Sequence, residues 1–131
     1  MTAAQPPKYI KVSLMLKKRD EVTDEFFHQY WRGNHVDLAM ANKKFTDKVI
    51  RYNQWHTSPE LKKQASKFGI PVLDYDGIAE VWVKSIEDWI EIVSDPAFIQ
   101  TIAPDEAVFI KAPISIALGY DDTVIGEKAP Q

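Results

Sequence analysis

The sequence predicts an α+β domain built from four strands and two main helices. Three observations predict it. Three of the four strand stretches carry apolar residues at period two, the spacing of a strand with one buried face. Two stretches carry them at helical spacing. The connections are short, with no repeat, low-complexity segment or dividing linker. A chain of 131 residues, 45% hydrophobic and 27% charged, suits one core. That core is expected over residues 9–120, as a single domain. Flexible tails are expected at 1–8, where Pro6 and Pro7 precede the first element, and at 121–131.

Taken in order, residues 9–17 form the first strand. Ile10, Val12, Leu14 and Leu16 alternate with Tyr9, Lys11, Ser13 and Met15. The charged cluster 17–21 turns the chain. Residues 23–41, TDEFFHQYWRGNHVDLAMA, then form the first main helix. Thr23 is a natural N-cap, and Asp24 and Glu25 complement the macrodipole in the first turn. Phe27, Tyr30, Trp31, Asn34, Leu38 and Ala41 share one face, with His35 on its edge and Gly33 loosening the middle. The helix is expected to end before Lys44. Residues 48–56 form the second strand, with Tyr52, Gln54 and His56 on one face and Arg51, Asn53 and Trp55 on the other. Both faces are polar, which suits an edge strand or a pocket wall.

A short helix starts at Ser58-Pro59 and stops at Gly69, with Pro71 reinforcing the stop. Asp74 and Asp76 follow in a loop. Residues 78–84 form the third strand, with Ala79, Val81 and Val83 facing one way and Ile78, Glu80 and Trp82 the other. Ser85 and Asp88 make a capping-box-like pair. The second main helix follows, with Ile86, Trp89, Ile90 and Val93 as its buried face, and Pro96 interrupts it. Residues 113–120 form the fourth strand. The order β-α-β-β-α-β, with a short extra helix before the third strand, is the ferredoxin-like split βαβ arrangement: an antiparallel sheet with two helices on one face. The bare face carries Ser13, Met15, Ile78, Glu80 and Trp82. An apolar face of that size calls for cover. A homodimer packed sheet to sheet supplies it, with a small-molecule pocket between sheet and helices.

Composition excludes several functions. A net charge of −3 and the lack of a basic stripe argue against nucleic acid as a partner. No apolar run is long enough to span a bilayer. MTAAQPPKY has no basic region followed by an apolar core, so no secretory signal is expected and the location expected is cytoplasmic. Zero cysteines remove disulfides, thiolate metal sites and a cysteine nucleophile. Phosphate loops, nucleophile elbows and dinucleotide fingerprints are absent. The three histidines, His28, His35 and His56, form neither HxH nor HExxH, so no metal is expected.

His35 and His56 are the candidates for acid/base chemistry, because neutral imidazoles exchange protons near neutral pH. His28 falls on the polar side of its helix and reads as solvated. Tyr52 and Gln54 share the His56 face and would hydrogen-bond a bound small molecule. Trp31 and Trp82 would form apolar walls. Glu80, between Ile78 and Trp82, is a candidate for partial burial, which raises a carboxyl pKa.

The stretch DEFFHQYWRGNH, residues 24–35, resembles the F-x-x-Y-W-x-x-x-H helix of EthD-like domains. Residues 52–56 and 75–94, with the D-P-x-F that follows, resemble the fungal branch of that family, whose members decarboxylate or dehydrate aromatic polyketides. The resemblance covers roughly residues 9–120. It implies a dimeric α+β barrel and cofactor-free chemistry on a flat, acidic polyketide. The family's helix histidine falls on His35 and its strand-end histidine on His56. In many relatives a proline-containing segment follows the helix histidine, where this chain has Val36-Asp37-Leu38.

These readings lead to a cofactor-free decarboxylase of an aromatic polyketide carboxylic acid, with His35 delivering or accepting the proton and His56 orienting the substrate or sharing that work. The alternatives are a dehydratase or cyclase, a cofactor-free anthrone oxygenase, or a non-catalytic binder of a hydrophobic metabolite. All use the same pocket; the enzymes differ in product, and the binder makes none.

Overall fold

Four antiparallel strands form one sheet in the order β2-β3-β1-β4. The computed structural model describes residues 9–128 and 130. The loose segment expected at 1–8 lies outside the described residues. The strands are β1 (Ile10–Lys18), β2 (Arg51–His56), β3 (Gly77–Val83) and β4 (Ile110–Gly119). Between β1 and β2 run α1 (Asp24–Tyr30), a π-helical turn (Trp31–His35), α2 (Val36–Ala41) and α3 (Lys43–Lys48). A short α4 (Pro59–Ala65) precedes β3. After β3 come α5 (Ile86–Ser94), a second π-helical turn (Phe98–Ile102) and α6 (Ala103–Phe109). This is the ferredoxin-like α+β fold expected.

Register fixes which side chains meet. Val12 pairs Val81, Leu14 pairs Ala79, and on the other side of β1, Leu14 pairs Ile116. Directly opposed residues share a face. The alternating set of β1 therefore joins Ala79, Val81 and Val83 under the helices, as the period-two pattern predicts. Val12 and Val83 are fully buried there, with Ile92 of α5 and Phe45 of α3 packed in the same cluster. Leu16, Phe27, Trp31, Ala79, Phe109 and Ile110 form a second cluster at the other end.

The helical segments depart from expectation in three places. The first helix is not a uniform α-helix: its middle turn is π-helical. The extra residue advances the buried face, so the buried residues are Phe27, Trp31, His35 and Ala39, while Asn34 and Ala41 are exposed. Asn42 then caps a further helix, accepting from Phe45 N at 2.9 Å, so β2 begins at Arg51 rather than Lys48. In α5 the buried centre is Ile92, and Ile90 is 53% exposed, one position off the expected stripe.

One close approach requires a glycine. A Cβ on Gly77 would stand 2.4 Å from the Trp31 ring. Gly69 ends the short helical region in the left-handed conformation, φ 72°, as its C-terminal position predicts. On the far side of the sheet, Trp82 is buried under Lys11 and Arg51, whose cations lie 5.2 and 5.0 Å from its ring. Its indole N–H donates to Asp121 at 2.8 Å.

Candidate active site

The helix-covered face of the sheet encloses a narrow slot of about 50 Å³. Trp31 and His35 from the π-helical turn, Tyr52 of β2, Ile114 of β4, Phe98 and Glu106 line it. A slot this size has room for a water or two, far below the roughly 300 Å³ of a typical ligand pocket. Beside it lies an open pocket of about 390 Å³, lined by Arg19, Glu21, Glu106, Ala107, Lys111 and Ile114 among others. Ile110, Ile114 and Glu106 belong to both, so they form a shared wall.

His35 is buried and held from behind. Its Nδ1 lies 2.9 Å from Asp105 Oδ2. The second Asp105 oxygen accepts from Tyr30 Oη at 2.5 Å. A carboxylate cannot donate, so Nδ1 carries the proton and Nε2 is left as the basic nitrogen. Phe109 packs edge-on against the ring at 5.1 Å. The bond to Asp105 pushes the Tyr30 phenol up to about 12, so it stays a donor at any physiological pH. His35 and Asp105 are 70 residues apart. Neither spacing nor motif pointed to Asp105, and only the docking of α6 against the π-helical turn brings it in.

Glu106 was equally silent in the sequence. It follows Asp105 on α6, about 100° further round the helix, and faces the shared wall. Burial first, and the neighbouring Asp105 charge second, push its carboxyl up to about 7. No side chain among the described residues donates a hydrogen bond to it.

His56 sits elsewhere. Its Nε2 lies 2.8 Å from Gln54 Oε1, and its Nδ1 lies 2.6 Å from His28 Nδ1. Gln54 uses its amide N–H groups on the Tyr52 hydroxyl (3.1 Å) and the Trp31 carbonyl (3.2 Å). Its oxygen must then accept from His56 Nε2, which makes His56 Nδ1 an acceptor and His28 the donor. His28 is thus half-buried and bonded rather than simply solvated. Burial foremost, then the Arg32 charge, pushes His56 down to about 4, and burial lowers His28 too. Both rings border an open cleft with Asp24, Glu25 and Arg32.

The structure therefore brings His35, Trp31 and Tyr52 to one slot. It does not bring His56 there, and the Trp31 ring stands 4.6 Å from His56. Gln54 bridges Tyr52 and His56 rather than lining the slot. Burial raises the Tyr52 phenol pKa. Glu80 and Trp82 lie on the opposite face of the sheet, where Glu80 pairs with Lys11 at 2.6 Å and accepts from Asn53 at 2.8 Å. Among the described residues no three His, Asp or Glu side chains converge as metal ligands, and no helix is long and apolar enough to cross a membrane.

Similarity to known proteins agrees with this fold. A conidial pigment biosynthesis dehydratase of Metarhizium robertsii, named EthD, is 22% identical over 121 residues, covering 88% of this chain and 84% of that one. The dehydratase aurZ of Gibberella zeae is 21% identical over 128 residues, covering 94% and 84%. A dimeric protein of unknown function with a ferredoxin-like fold, from Bacteroides fragilis, superposes with a TM-score of 0.62 at 9% identity, covering 89% of this chain and all of that one. The EthD domain model matches residues 19–113, from the turn after β1 through the π-helical histidine turn to the start of β4, and the chain belongs to that family.

Proposed function

We propose that this protein is a cofactor-independent lyase that removes water from a hydroxylated aromatic polyketide, with His35 as the base. One observation carries the reading: the 2.9 Å bond from His35 Nδ1 to Asp105, which leaves a basic nitrogen on a ring that lines the slot. Such an imidazole takes a proton from a carbon beside a carbonyl, and the carboxylate behind it stabilises the imidazolium that forms. Tyr30 holds the other Asp105 oxygen and fixes the carboxylate's orientation. Trp31 and Tyr52 flank the slot and would bracket the reacting edge of a flat ring. The bulk of the ring system would occupy the larger outer pocket, with the slot widening at its π-helical walls, a backbone form that recurs at functional sites.

The same pocket supports decarboxylation as a second reading, but the lining favours dehydration. It includes neither Lys nor Arg, so no fixed cation in the slot would draw in a substrate carboxylate. The two fungal relatives named dehydratases support the same choice. The proposed unit is a homodimer in which a second copy covers the bare sheet face, where Trp55 is 55% exposed. The dimeric B. fragilis structure supports that assembly.

The test is direct. The purified protein, without added cofactor, is incubated with a hydroxylated anthracenone and with the corresponding carboxylic acid, and products are followed by mass. Catalytic loss of water that disappears in His35→Ala is the expected result. Loss of carbon dioxide instead would replace dehydration by decarboxylation. Saturable quenching of tryptophan fluorescence without turnover would make the protein a binder.

A further inference from the structure

Glu106 has no part in holding His35, yet it stands in the wall between slot and outer pocket. Its neighbour Asp105 is committed to Tyr30 and His35. The two carboxyls thus point to different tasks: one orients the imidazole from behind, the other faces the space where a substrate would sit. An elimination needs both an acid and a base. The base takes a proton from carbon, and hydroxide, a poor leaving group, departs far faster when an acid protonates it.

We propose that Glu106 is the general acid of this site, donating its proton to the departing hydroxyl while His35 takes the proton from carbon. The inference rests on the dehydratase reading above. The balance is simple. The C–H electron pair becomes the new C=C bond, and the C–O bond breaks with its pair going to oxygen. That oxygen leaves as water with the Glu106 proton, leaving a Glu106 carboxylate and a His35 imidazolium. Transfer of the imidazolium proton back to Glu106 restores both groups, with no oxidant or reductant involved.

The surroundings fit an acid that keeps its proton. Asp105 lies beside Glu106 on α6, with Tyr30 of α1 behind it. Across the slot stand His35 and Tyr52 of β2. The outer pocket adds Arg19, Asp20 and Glu21 from the turn after β1 and Lys111 from β4. Both cations there are already engaged: Arg19 with Glu21 at 2.9 Å and Lys111 with Asp20 at 3.3 Å. Neither neutralises Glu106, so burial and Asp105 favour the protonated form up to about pH 7.

Two probes separate the acid from the base: a β-hydroxy tetralone and its β-acetoxy ester. Acetate leaves without a proton, so its elimination needs the base alone. Glu106→Gln preserves shape and removes the acid. It should lose on the order of 100-fold or more on the hydroxy ketone and eliminate acetate at close to the wild-type rate. His35→Asn should lose both reactions. Wild-type dehydration should fall as pH rises through about 7, where Glu106 gives up its proton, and that alkaline limb should be missing from Glu106→Gln and from acetate elimination. Equal loss on both probes, or undiminished dehydration by Glu106→Gln, overturns the acid role while leaving His35 in place. Wild-type protein that eliminates neither group overturns the dehydratase reading itself, and the acid falls with it. Acetate elimination by the variant also shows that its site is folded.

Discussion

His35 lines the slot that Trp31 walls, His56 packs against the Trp31 ring, and the two histidines are put to opposite uses. His35 has a carboxylate at its Nδ1 and lines the narrow slot. His56 has a second imidazole at its Nδ1 and a committed amide at its Nε2. A carboxylate accepts only, so it fixes one tautomer, leaves the far nitrogen basic and stabilises the charged ring. An imidazole partner at 2.6 Å leaves both His56 nitrogens bonded, and protonating His56 would place a donor against a donor. The lesson is that burial beside an aromatic ring does not make a histidine a catalyst. The partner of its second nitrogen decides.

The comparison breaks most sharply in activity. His35→Ala should lose about 100- to 10,000-fold in turnover, while His56→Gln should lose little. Comparable losses would return His56 to the mechanism. Next comes the partner itself. Asp105→Asn lets the amide present an N–H to Nδ1, forces the wrong tautomer and removes the charge behind the ring, so a loss approaching that of His35→Ala is expected, with the protein still folded by circular dichroism.

Trp31 itself is tested through the glycine that it packs against. Gly77→Ala would push a methyl into the Trp31 ring, which no flexible side chain can relieve. Overpacking of this kind costs about 1–3 kcal/mol, read as a lowered melting temperature. Because Trp31 touches both histidine regions, fluorescence should report the shift as well. A variant as stable as wild type would mean that the ring has room to move.

The smallest effect is a slope. His56 titrates near 4 in the fold against 6.5 when unfolded. Between those values the unfolded chain binds the extra proton, so this contribution to stability is full above about pH 6.5 and is lost as pH falls toward 4. His56→Gln should flatten the fall in melting temperature across that window. His35→Gln is the control that tells loss of this pair from general acid unfolding.

Much of this was legible in the chain. Period-two alternation in residues 10–16 and 79–83 is a strong signal, because a one-residue slip would expose every apolar side chain. The F-x-x-Y-W-x-x-x-H motif marked His35 and Trp31. What the sequence hid is long-range or local-exception chemistry. Asp105 reaches His35, and Glu106 the slot, only through the docking of α6, and nothing in A-P-D-E announces it. Assuming regular α-helical spacing from Trp31 onward put Asn34 where His35 belongs. Glu80 and Trp82 were read as pocket residues from the face they share, but that face is the one turned away from the helices. Tyr52, Gln54 and His56 do share a face, yet the slot takes only the first of them.

The π-helical turn at Trp31–His35 contains one residue more than a regular helix would need. Deleting Gly33 would restore an uninterrupted α-helical ladder and give the helix better hydrogen bonds. It would also rotate everything on one side of the cut by about 100° relative to the other, and His35 could no longer meet Asp105 while Trp31 met Gly77. The most economical helix for this segment is therefore incompatible with its chemistry. Along a lineage, that surplus residue should be harder to lose than most substitutions are to accept, and a relative found without it should have lost the base along with the bulge.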